Sequence, residues 1–315
     1  MTNPQSAIRS PQAFDGILVV DKPQDWTSHD VVAKMRKILR TRRLGHTGTL
    51  DPFATGVLVV CVNRATRLVQ FLAGDDKEYV ATIRLGFATN TGDLTGEAVL
   101  PVTDASHITS EQMLEVFKQF RGRIRQIPPM YSAKKVRGIR LHELARRGEV
   151  IERQPIEVEI KELELLPDAQ DVNREVQEFT FRVLCSSGTY VRTLAEDIGK
   201  MLGVGGHLTG LRRTRAGHCD LSKALTLEQI SELVEKDRLG EIMISLNDAV
   251  NLPAIQLNDE ECKAIAHGRS IIHRGDWNNG KQAKLCDIEG RLLAIADFDF
   301  DKSIWKPRVV LVETN

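Results

Sequence analysis

The stretch Gly45-His-Thr-Gly-Thr-Leu-Asp-Pro52, continued by Ala54-Thr-Gly56, leads directly into an apolar run that ends at Val62. Its glycines permit close backbone approach or a positive φ, and Pro52 restricts Asp51 to an extended conformation. A single carboxylate is therefore held in a glycine-rich loop that precedes a buried strand. An ordinary Asp-Pro turn would explain Asp51 alone, but it does not explain the whole stretch. We interpret the stretch as a loop that carries chemistry.

The surroundings of Asp51 in the sequence limit that chemistry. No second carboxylate lies near it, so the paired acid and base of a glycosidase are not indicated. A lone carboxylate can act as a nucleophile if a cation keeps it ionised in a desolvated site. Phosphate-binding loops are not supported, because Met201 follows Gly199-Lys200 and the glycines at 203–206 lack the full dinucleotide-binding spacing. A nucleotide cofactor is therefore not expected.

The composition of the 315 residues excludes several protein classes. A hydrophobic content of 42% and a charged content of 27% are typical of globular proteins. No apolar run reaches the ~18 residues of a membrane-spanning helix, and residues 1–15 lack the apolar core of a secretion signal, so we expect a cytoplasmic protein without membrane contact. The five scattered cysteines and eight histidines show neither disulfide nor metal-ligand spacing. We expect reduced thiols and metal-independent chemistry.

Positive charge is concentrated in three segments, although the formal net charge is zero. Residues 34–43 contain six basic and no acidic side chains, residues 121–153 contain ten and three, and residues 200–217 contain four and none. The three segments together carry +17, which leaves −17 for the rest of the chain. If folding gathers them on one face, their field would attract a polyanion such as a nucleic acid. Each segment alone is more simply explained as a solvated helix face, but three such segments flank the unusual motifs.

The apolar pattern predicts strands and helices in an irregular order. Strands are predicted at residues 16–20, 56–62, 77–86, 155–166, 176–186, 292–296 and 309–312, and helices at residues 27–39, 109–120, 189–202 and 226–235. This order favours an α+β fold, with a mixed, mostly antiparallel sheet and flanking helices, over a parallel doubly wound fold. From residue 250 short apolar runs alternate with turns, which predicts a small β-rich domain.

The glycine-rich loop and four other segments resemble, in order, the motifs of the TruB family of tRNA pseudouridine synthases. Residues 45–52 are similar to the family signature. The other similar segments are Asp21-Lys-Pro23 with Thr27-Ser28, Lys77-Glu-Tyr79 to Leu85-Gly86, Ile127-Pro-Pro-Met-Tyr-Ser-Ala-Lys134, and Ser187-Gly-Thr-Tyr-Val-Arg-Thr193 with Asp197-Ile-Gly199 and Leu211-Arg-Arg-Thr214. The resemblance covers residues 16–220. Beyond residue 250 the chain only loosely resembles the PUA-like RNA-binding domain of many members.

The resemblance implies a domain organisation and a set of partners. Residues 1–15 would form a disordered tail, residues 16–249 a catalytic pseudouridine synthase domain, and residues 250–315 a PUA-like RNA-binding domain. Residues 121–153 would be a basic insertion that closes over the T arm of tRNA as a clamp. The expected partner is tRNA, bound by a monomer that requires no protein partner, no cofactor and no metal.

The resemblance also implies an activity, the isomerisation of uridine 55 in the T loop to pseudouridine. Asp51 would be the nucleophile, attacking either C6 of the base or C1′ of the ribose. Arg192 would pair with Asp51 and keep it ionised. Tyr79 would stack on the target base and take part in proton transfer. Without the resemblance, Tyr79 on an alternating strand is more simply a core residue, and Arg192 at a helix start is more simply a surface residue.

Three further residues would bind the substrate if the resemblance holds. Tyr190 would help to hold the flipped nucleotide, and Leu211 would contribute an apolar wall. His46 would fill the space that the base leaves in its stack, because a flat ring replaces a base well.

The chain departs from the family pattern at three positions. Asp25 and Asn63 stand where glycine is usual, and His142 stands where tyrosine is common. These departures raise a question about local turn geometry but do not touch the proposed chemistry.

Two other functions fit the same sequence features. The protein could act mainly as an RNA-binding tRNA-folding factor with secondary catalysis. It could also be a guide-dependent rRNA pseudouridine synthase of the related archaeal and eukaryotic family, although the clamp-like segment at 121–153 favours an enzyme that works alone.

Overall fold

A computed structural model describes residues 14–99, 102–132, 134–136, 138–149, 151–167 and 177–312. Most of the predicted disordered tail at 1–15 lies outside the described residues. The same is true of the predicted acidic turn at 168–175 and of the side chain of His142.

The secondary structure follows the chain in the order that the elements are numbered. The strands are β1 (Gly16–Lys22), β2 (Leu44–His46), β3 (Thr55–Val62), β4 (Lys77–Leu85), β5 (Gly122–Gln126), β6 (Lys135–Val136), β7 (Ile139–Arg140), β8 (Ile156–Leu165), β9 (Glu178–Cys185), β10 (Gly206–Ala216), β11 (Cys219–Asp220), β12 (Ala254–Gln256), β13 (Ile271–Ile272), β14 (Gln282–Cys286), β15 (Leu292–Asp299) and β16 (Ile304–Val310). The helices are α1 (Ser28–Ile38), α2 (Val69–Leu72), α3 (Ser110–Phe120), α4 (Leu141–Arg146), α5 (Val191–Met201), α6 (Leu227–Glu235), α7 (Leu246–Ala249) and α8 (Asp259–Ala266).

The described strands form one large mixed sheet, one small mixed sheet and a separate two-stranded sheet of β6 and β7. The large sheet has the order β1-β3-β10-β4-β9-β8-β5, with β2 beside β3 and β11 beside β10. Its neighbours pair antiparallel except β3 and β10, which run parallel. The small sheet has the order β12-β14-β15-β16-β13. With helices packed against the large sheet, this architecture confirms the predicted α+β fold.

Local sequence signals explain the elements that were predicted. Thr27 caps α1, because its hydroxyl accepts a hydrogen bond from the Asp30 N–H while the Asp30 carboxylate accepts one from the Thr27 N–H. On β4 the alternate residues Tyr79, Ala81 and Ile83 are buried, as the period of two requires. Burial of alternate side chains places this strand against the core, and Tyr79 is carried into the interior with it.

The central strand β10 was not predicted. It pairs with β3 on one side and with β4 on the other, so it holds the two halves of the large sheet together. Its backbone comes very close to β3 at Gly56, where a Cβ atom would lie 2.2 Å from the Arg213 carbonyl oxygen and φ is +97°. Only glycine fits this position without strain.

Two of the departures from the family pattern occupy left-handed turns. Asp25 has φ of 64° and Asn63 has φ of 52°. A glycine adopts such a conformation freely, and Asp and Asn are among the residues that tolerate it best. The Asn63 side chain also accepts a hydrogen bond from the Thr41 hydroxyl at 2.6 Å and donates one to the Phe14 carbonyl at 2.7 Å. At Asp25 and Asn63 the turns therefore keep the left-handed conformation that glycine would adopt, which answers the question of their geometry.

The small sheet packs against the large one through a shared apolar cluster. This cluster combines Ile17, Val57 and Cys61 of the large sheet with Ile295 and Leu311 near the C-terminus. The predicted domain boundary at residue 250 stays a prediction.

The predicted clamp segment, residues 121–153, begins within the large sheet. Its first strand, β5, is the edge strand beside β8. The hairpin β6–β7 and helix α4 follow, and Arg153 near the end of the segment donates a hydrogen bond to the Pro128 carbonyl at 3.0 Å. Within the described residues, no helix is both long and apolar enough to cross a membrane.

Candidate active site

The loop from residue 47 to residue 54, which carries Asp51, joins β2 to β3 and is held from the side of β1. The Asp25 N–H donates to the Pro52 carbonyl at 2.9 Å, and the Lys22 ammonium donates to the same oxygen at 3.1 Å. The Ser28 hydroxyl accepts a hydrogen bond from the Leu50 N–H at 2.8 Å. The segment from Lys22 to Ser28 therefore fixes the backbone on both sides of Asp51.

The ammonium group of Lys22 is unusual because it is completely buried. It also donates to the Pro23 carbonyl at 2.8 Å and to the Trp26 carbonyl at 2.5 Å. Burial lowers the pKa of Lys22 to about 8, although the nearby Asp51 carboxylate works in the opposite direction. Lys22 therefore places a cation close to Asp51 without forming an ion pair with it.

Arg213 supports the same loop from β10. Its Nη2 donates to the Gly48 carbonyl at 3.0 Å, and its Nε donates to the Val57 carbonyl at 2.6 Å. Its side chain is only 2% exposed, and its guanidinium carbon lies 6.0 Å from the centre of the Tyr79 ring. Arg213 thus connects the start of the Asp51 loop, and strand β3 that follows the loop, to β10, which lies beside the strand of Tyr79.

Asp51 and Arg192 form a two-pronged ion pair. The Arg192 Nε donates to one carboxylate oxygen at 2.8 Å and Nη2 donates to the other at 2.9 Å. The arginine also donates to the carbonyl oxygens of Thr91 at 2.8 Å and Tyr131 at 2.7 Å. The Arg192 side chain is 5% exposed, whereas that of Asp51 is 31% exposed. The Asp51 carboxylate is therefore partly accessible, while the Arg192 guanidinium is held in place by two backbone carbonyls.

Asp93 is a second carboxylate near Arg192, at 3.6 Å from Nη1. Its Oδ1 accepts hydrogen bonds from the hydroxyls of Thr91 at 2.8 Å and Thr95 at 2.6 Å, so its orientation is fixed. Arg192 thus lies between two carboxylates, of which only Asp51 is partly exposed.

The pKa of Asp51 reflects opposing effects. Burial raises the pKa of the carboxyl above its ordinary value, and the negative charge of Asp93 raises it further, whereas the Arg192 guanidinium lowers it. Burial prevails, so the pKa is raised overall. Arg192 thus opposes two effects that favour the neutral carboxyl.

A cavity of about 240 Å³ opens above Asp51. Five of the six predicted site residues line it, and they are Asp51, Tyr79, Tyr190, Arg192 and Leu211. His46 does not line it, and lies on β2 opposite Val60. Burial lowers the pKa of His46, which favours its neutral ring. The structure therefore brings the predicted nucleophile, its cation, both tyrosines and the apolar wall together and leaves His46 beside the loop.

Tyr79 and Tyr190 enter the cavity from different elements. Tyr79 is nearly buried on β4, and burial raises the pKa of its phenol. Tyr190 precedes α5, where its N–H donates to the Gln126 side chain at 2.9 Å and its carbonyl accepts from the same amide at 3.2 Å. Because Gln126 is fully buried, it fixes the start of the helix that carries Arg192.

The third basic segment, residues 200–217, offers less free charge than the sequence suggests. Arg212 pairs with Asp21 at 2.7 Å, Arg215 lies 3.7 Å from Glu78, and Arg213 is buried against carbonyl groups. Arg213 is the buried member of this group, whereas Arg212 is 41% and Arg215 36% exposed. The gathering of the three basic segments on one face stays a prediction.

Comparison with known families agrees with this geometry. Residues 36–191 match the model of the TruB family pseudouridylate synthase N-terminal domain, residues 192–251 match the tRNA pseudouridylate synthase B C-terminal domain, and residues 253–311 match the pseudouridine synthase II TruB C-terminal model. The tRNA pseudouridine synthase B of Mycobacterium leprae is 45% identical over 284 residues, which cover 89% of this chain and 86% of that protein. The chain belongs to the TruB family.

Further relatives extend the TruB match to almost the whole chain. The tRNA pseudouridine synthase B of Pelotomaculum thermopropionicum is 41% identical over 310 residues, which cover 95% of this chain and 97% of that protein. That of Francisella tularensis strain WY96-3418 is 40% identical over 293 residues, covering 93% and 94%. The predicted family is therefore confirmed, and the chain is a member of a family of tRNA pseudouridine synthases.

Solved structures resemble this TruB chain at lower identity. A chain in the structure of an H/ACA RNP bound to a substrate RNA containing 2′-deoxyuridine has a TM-score of 0.69 and 26% identity, with coverage of 94% of this chain and 85% of that chain. A chain in an archaeal box H/ACA sRNP Nop10-Cbf5 complex has a TM-score of 0.68 and 25% identity, with coverage of 99% and 93%. The fold is thus shared with proteins that are found in RNA–protein assemblies.

Sequence reasoning missed four polar residues that position the TruB site. They are Lys22, Asp93, Gln126 and Arg213, each of which is almost completely buried. Lys22 and Arg213 lie within segments that resemble family motifs, so a buried role for each basic residue could have been inferred there. Asp93 had a weaker signal, as a lone carboxylate between threonines in a glycine-rich turn, and Gln126 had none.

Proposed function

We propose that this chain isomerises uridine 55 in the T loop of tRNA to pseudouridine, with Asp51 as the nucleophile. The observation that carries the proposal is the ion pair between Asp51 and Arg192 at the base of a cavity lined by two tyrosines. Membership of a family of tRNA pseudouridine synthases supports the class of reaction. A cavity of about 240 Å³ suits one flipped nucleoside, since it is smaller than the roughly 300–1,000 Å³ of ordinary ligand pockets.

The reaction needs no external oxidant, reductant or group donor. Asp51 attacks either C1′ of the ribose or C6 of the base, and the bond between N1 and C1′ breaks with its electrons going to the base. The base then turns and C5 forms the new bond to C1′. Asp51 is released, the proton on C5 is lost to a base and finally to solvent, and N1, which no longer carries the ribose, takes up a proton. Substrate and product are isomers, so the atoms and electrons balance.

The other cavity residues have roles that follow from their positions. Arg192 keeps Asp51 ionised and directs both of its oxygens, because its own position is fixed by two backbone carbonyls. Tyr79 stacks on the target base and its phenol takes part in the proton transfer at C5. Tyr190 holds the flipped nucleotide, and Leu211 forms an apolar wall.

His46 acts outside the cavity. Its position next to the loop and its preference for the neutral form suit a ring that fills the gap in the base stack after the uridine leaves it. The ring would then stabilise the flipped state of the RNA without contact with Asp51.

Tritium release from tRNA labelled at uridine C5 tests this function, because the C5 hydrogen must leave when pseudouridine forms. The purified chain should release about one label per tRNA, with or without a chelator, and Asp51→Asn should release none while it still binds tRNA. Sequencing of the product should place the modification at position 55 only. Release by Asp51→Asn at the wild-type rate would exclude Asp51 as the nucleophile.

The same experiment separates the two alternatives. A guide-dependent synthase, which the shared fold with H/ACA proteins brings into consideration, would release no label from bare tRNA unless a guide RNA and partner proteins were added. We propose instead that the chain acts alone and as a monomer. A folding factor would support tRNA folding equally well with Asp51→Asn, so a refolding assay with that variant measures any function beyond catalysis.

A further inference from the structure

Among the described residues, four basic side chains line the cavity, namely Lys77, Lys134, Arg192 and Arg213. Arg192 and Arg213 direct their N–H groups at carboxylate and carbonyl oxygens of the protein. Lys77 is nearly buried and donates to the carbonyl oxygens of Ala73 at 2.7 Å and Asp75 at 2.5 Å. Lys134 makes no side-chain hydrogen bond or ion pair within the part of the chain that is described. It is therefore the cavity cation available to a ligand.

The backbone of Lys134 is nonetheless fixed. Its carbonyl accepts a hydrogen bond from the Leu141 N–H at 2.9 Å, and Leu141 is buried at the start of α4. Three residues earlier, the Tyr131 carbonyl accepts the 2.7 Å hydrogen bond from Arg192. Three residues of chain span at most about 11 Å. Lys134 is therefore close enough to Arg192 for both side chains to contact the same bound nucleotide. An ammonium without a partner among the described residues, on a backbone held by a hydrogen bond, is suited to contact an anion at the cavity.

The charges around the cavity indicate the sign of that ligand. Arg192 balances one of the two carboxylates Asp51 and Asp93, and the buried Lys22 and Arg213 supply more positive charge than the second carboxylate requires. Lys134 increases this surplus, so an anionic group at the mouth would be attracted. A flipped nucleotide that places its base at Asp51 must leave its phosphates outside, since a cavity of about 240 Å³ has no room for the chain on either side.

We propose that Lys134 binds a phosphodiester group directly next to the target uridine, and this inference rests on the proposed function. The contact links the clamp to catalysis, because Lys134 belongs to the 121–153 segment and its neighbour Ser132 also lines the cavity. RNA bound in this way holds the clamp segment against the nucleotide that reacts. The role of Lys134 is to bind and position the RNA, not to take part in bond breaking.

The test uses the full chain, a T-arm stem-loop RNA labelled at C5 of the target uridine, and two variants, Lys134→Gln and Lys134→Arg. Lys118→Gln is the matched control, since Lys118 is an exposed lysine on α3 that pairs with Glu115. Tritium release gives KM and kcat over a series of salt concentrations. Lys134→Gln should raise KM about tenfold and leave kcat within about twofold, because one charge-assisted hydrogen bond to the ground state is lost. Lys134→Arg should stay near wild type.

A second arm identifies the phosphate. Two RNAs carry a neutral methylphosphonate at the position either 5′ or 3′ of the target uridine. One of them should raise KM about tenfold for the wild type and the Lys118→Gln control but not further for Lys134→Gln, because the two changes remove the same contact. The slope of log KM against log salt concentration should also fall by roughly 0.7–0.9 in Lys134→Gln, as expected for one lost phosphate contact.

Three results would overturn the inference. They are an unchanged KM and salt slope in Lys134→Gln, an equal effect in Lys118→Gln, and methylphosphonate effects that simply add to that of Lys134→Gln. Failure of the proposed function looks different, since the wild type would then release no label from any RNA. In that case equilibrium binding of the same RNAs still reports on Lys134, because a phosphate contact changes affinity with or without chemistry.

Discussion

Strands β4 and β10 lie side by side in the large sheet and both line the cavity, yet only β4 could be recognised from the sequence. On β4 the buried residues alternate strictly, from Lys77 to Leu85. On β10 the register with β4 shifts twice, between Leu208 and Gly210 and between Arg213 and Arg215. Each shift moves the following side chains to the other face, so the period of two is lost. Because of these register shifts, the sequence of β10 lacks the alternation from which a strand is normally predicted.

The two strands also differ in what they bury. β4 buries mostly apolar side chains, whereas β10 buries Arg213 and satisfies it with backbone carbonyls. The sequence alone does not reveal that this basic, glycine-containing segment buries one of its arginines. This shows that a cluster of arginines within a family motif can be internal structure. Substitutions on β4 and β10 test this difference, because their effects on kcat and on the free energy of unfolding can be compared.

Arg213→Met should have the largest effect. It removes the donors to the Gly48 carbonyl in the Asp51 loop and to the Val57 carbonyl in β3, directly after the loop, so the carboxylate loses its fixed position. A displacement of about 1 Å can lower kcat roughly 100-fold, and each carbonyl left without a donor costs about 1–3 kcal/mol of unfolding free energy. Tritium release and denaturant unfolding measure the two effects. If kcat stayed within threefold of wild type in folded protein, Arg213 would be a packing residue only.

Ile83→Ala on β4 provides the contrast. Ile83 is completely buried in the core behind the cavity and does not line it. The substitution should lower the free energy of unfolding by about 2–5 kcal/mol through the lost packing. At a temperature where the variant is folded, kcat should be close to wild type. A fall in kcat as large as that of Arg213→Met would mean that core packing on either strand controls the site.

The fold was predictable wherever one local signal decided the structure. The capping residues around α1 and the alternation on β4 each specify an element without help from the rest of the chain. The strands β10 and β14 and the helix α8 were missed. For β10 the reason is physical, because its conformation depends on pairing with β3 and β4, which are distant in sequence.

The candidate site was predictable only with the family resemblance. Spacing alone singled out Asp51, but nothing in the sequence brings Arg192 within 3 Å of a residue that precedes it by 141 positions. The residues that position the site, such as Asp93 and Gln126, were missed because burial of a polar side chain cannot be seen in the sequence. Their function depends on partners that the fold supplies.

Asp93→Asn should change the pH dependence of the reaction. As the proposed nucleophile, Asp51 would have to be ionised, so we expect activity to fall as the pH drops through its pKa, and burial moves this fall to a higher pH than for an ordinary carboxyl. The charge of Asp93 raises this pKa further, so its removal should lower the pH of half-maximal kcat. A pH series of single-turnover rates measures the shift. A shift of the half-maximal pH to a higher value in Asp93→Asn would contradict the inference that the Asp93 charge raises the pKa of Asp51.

Arg212→Gln should have the smallest effect and gives the sharpest comparison, because Arg212 is the neighbour of Arg213 on β10. Arg212 pairs with Asp21 through both nitrogens, but it is 41% exposed and its partner is 30% exposed. Solvent screens such a pair, so the free energy of unfolding should fall by about 1 kcal/mol or less, and kcat should remain near wild type. If Arg212→Gln instead lowered kcat as much as Arg213→Met, the cause would be a disturbance of β10 itself. The buried hydrogen bonds from Arg213 to the Asp51 loop would then no longer explain why this strand is central to the site.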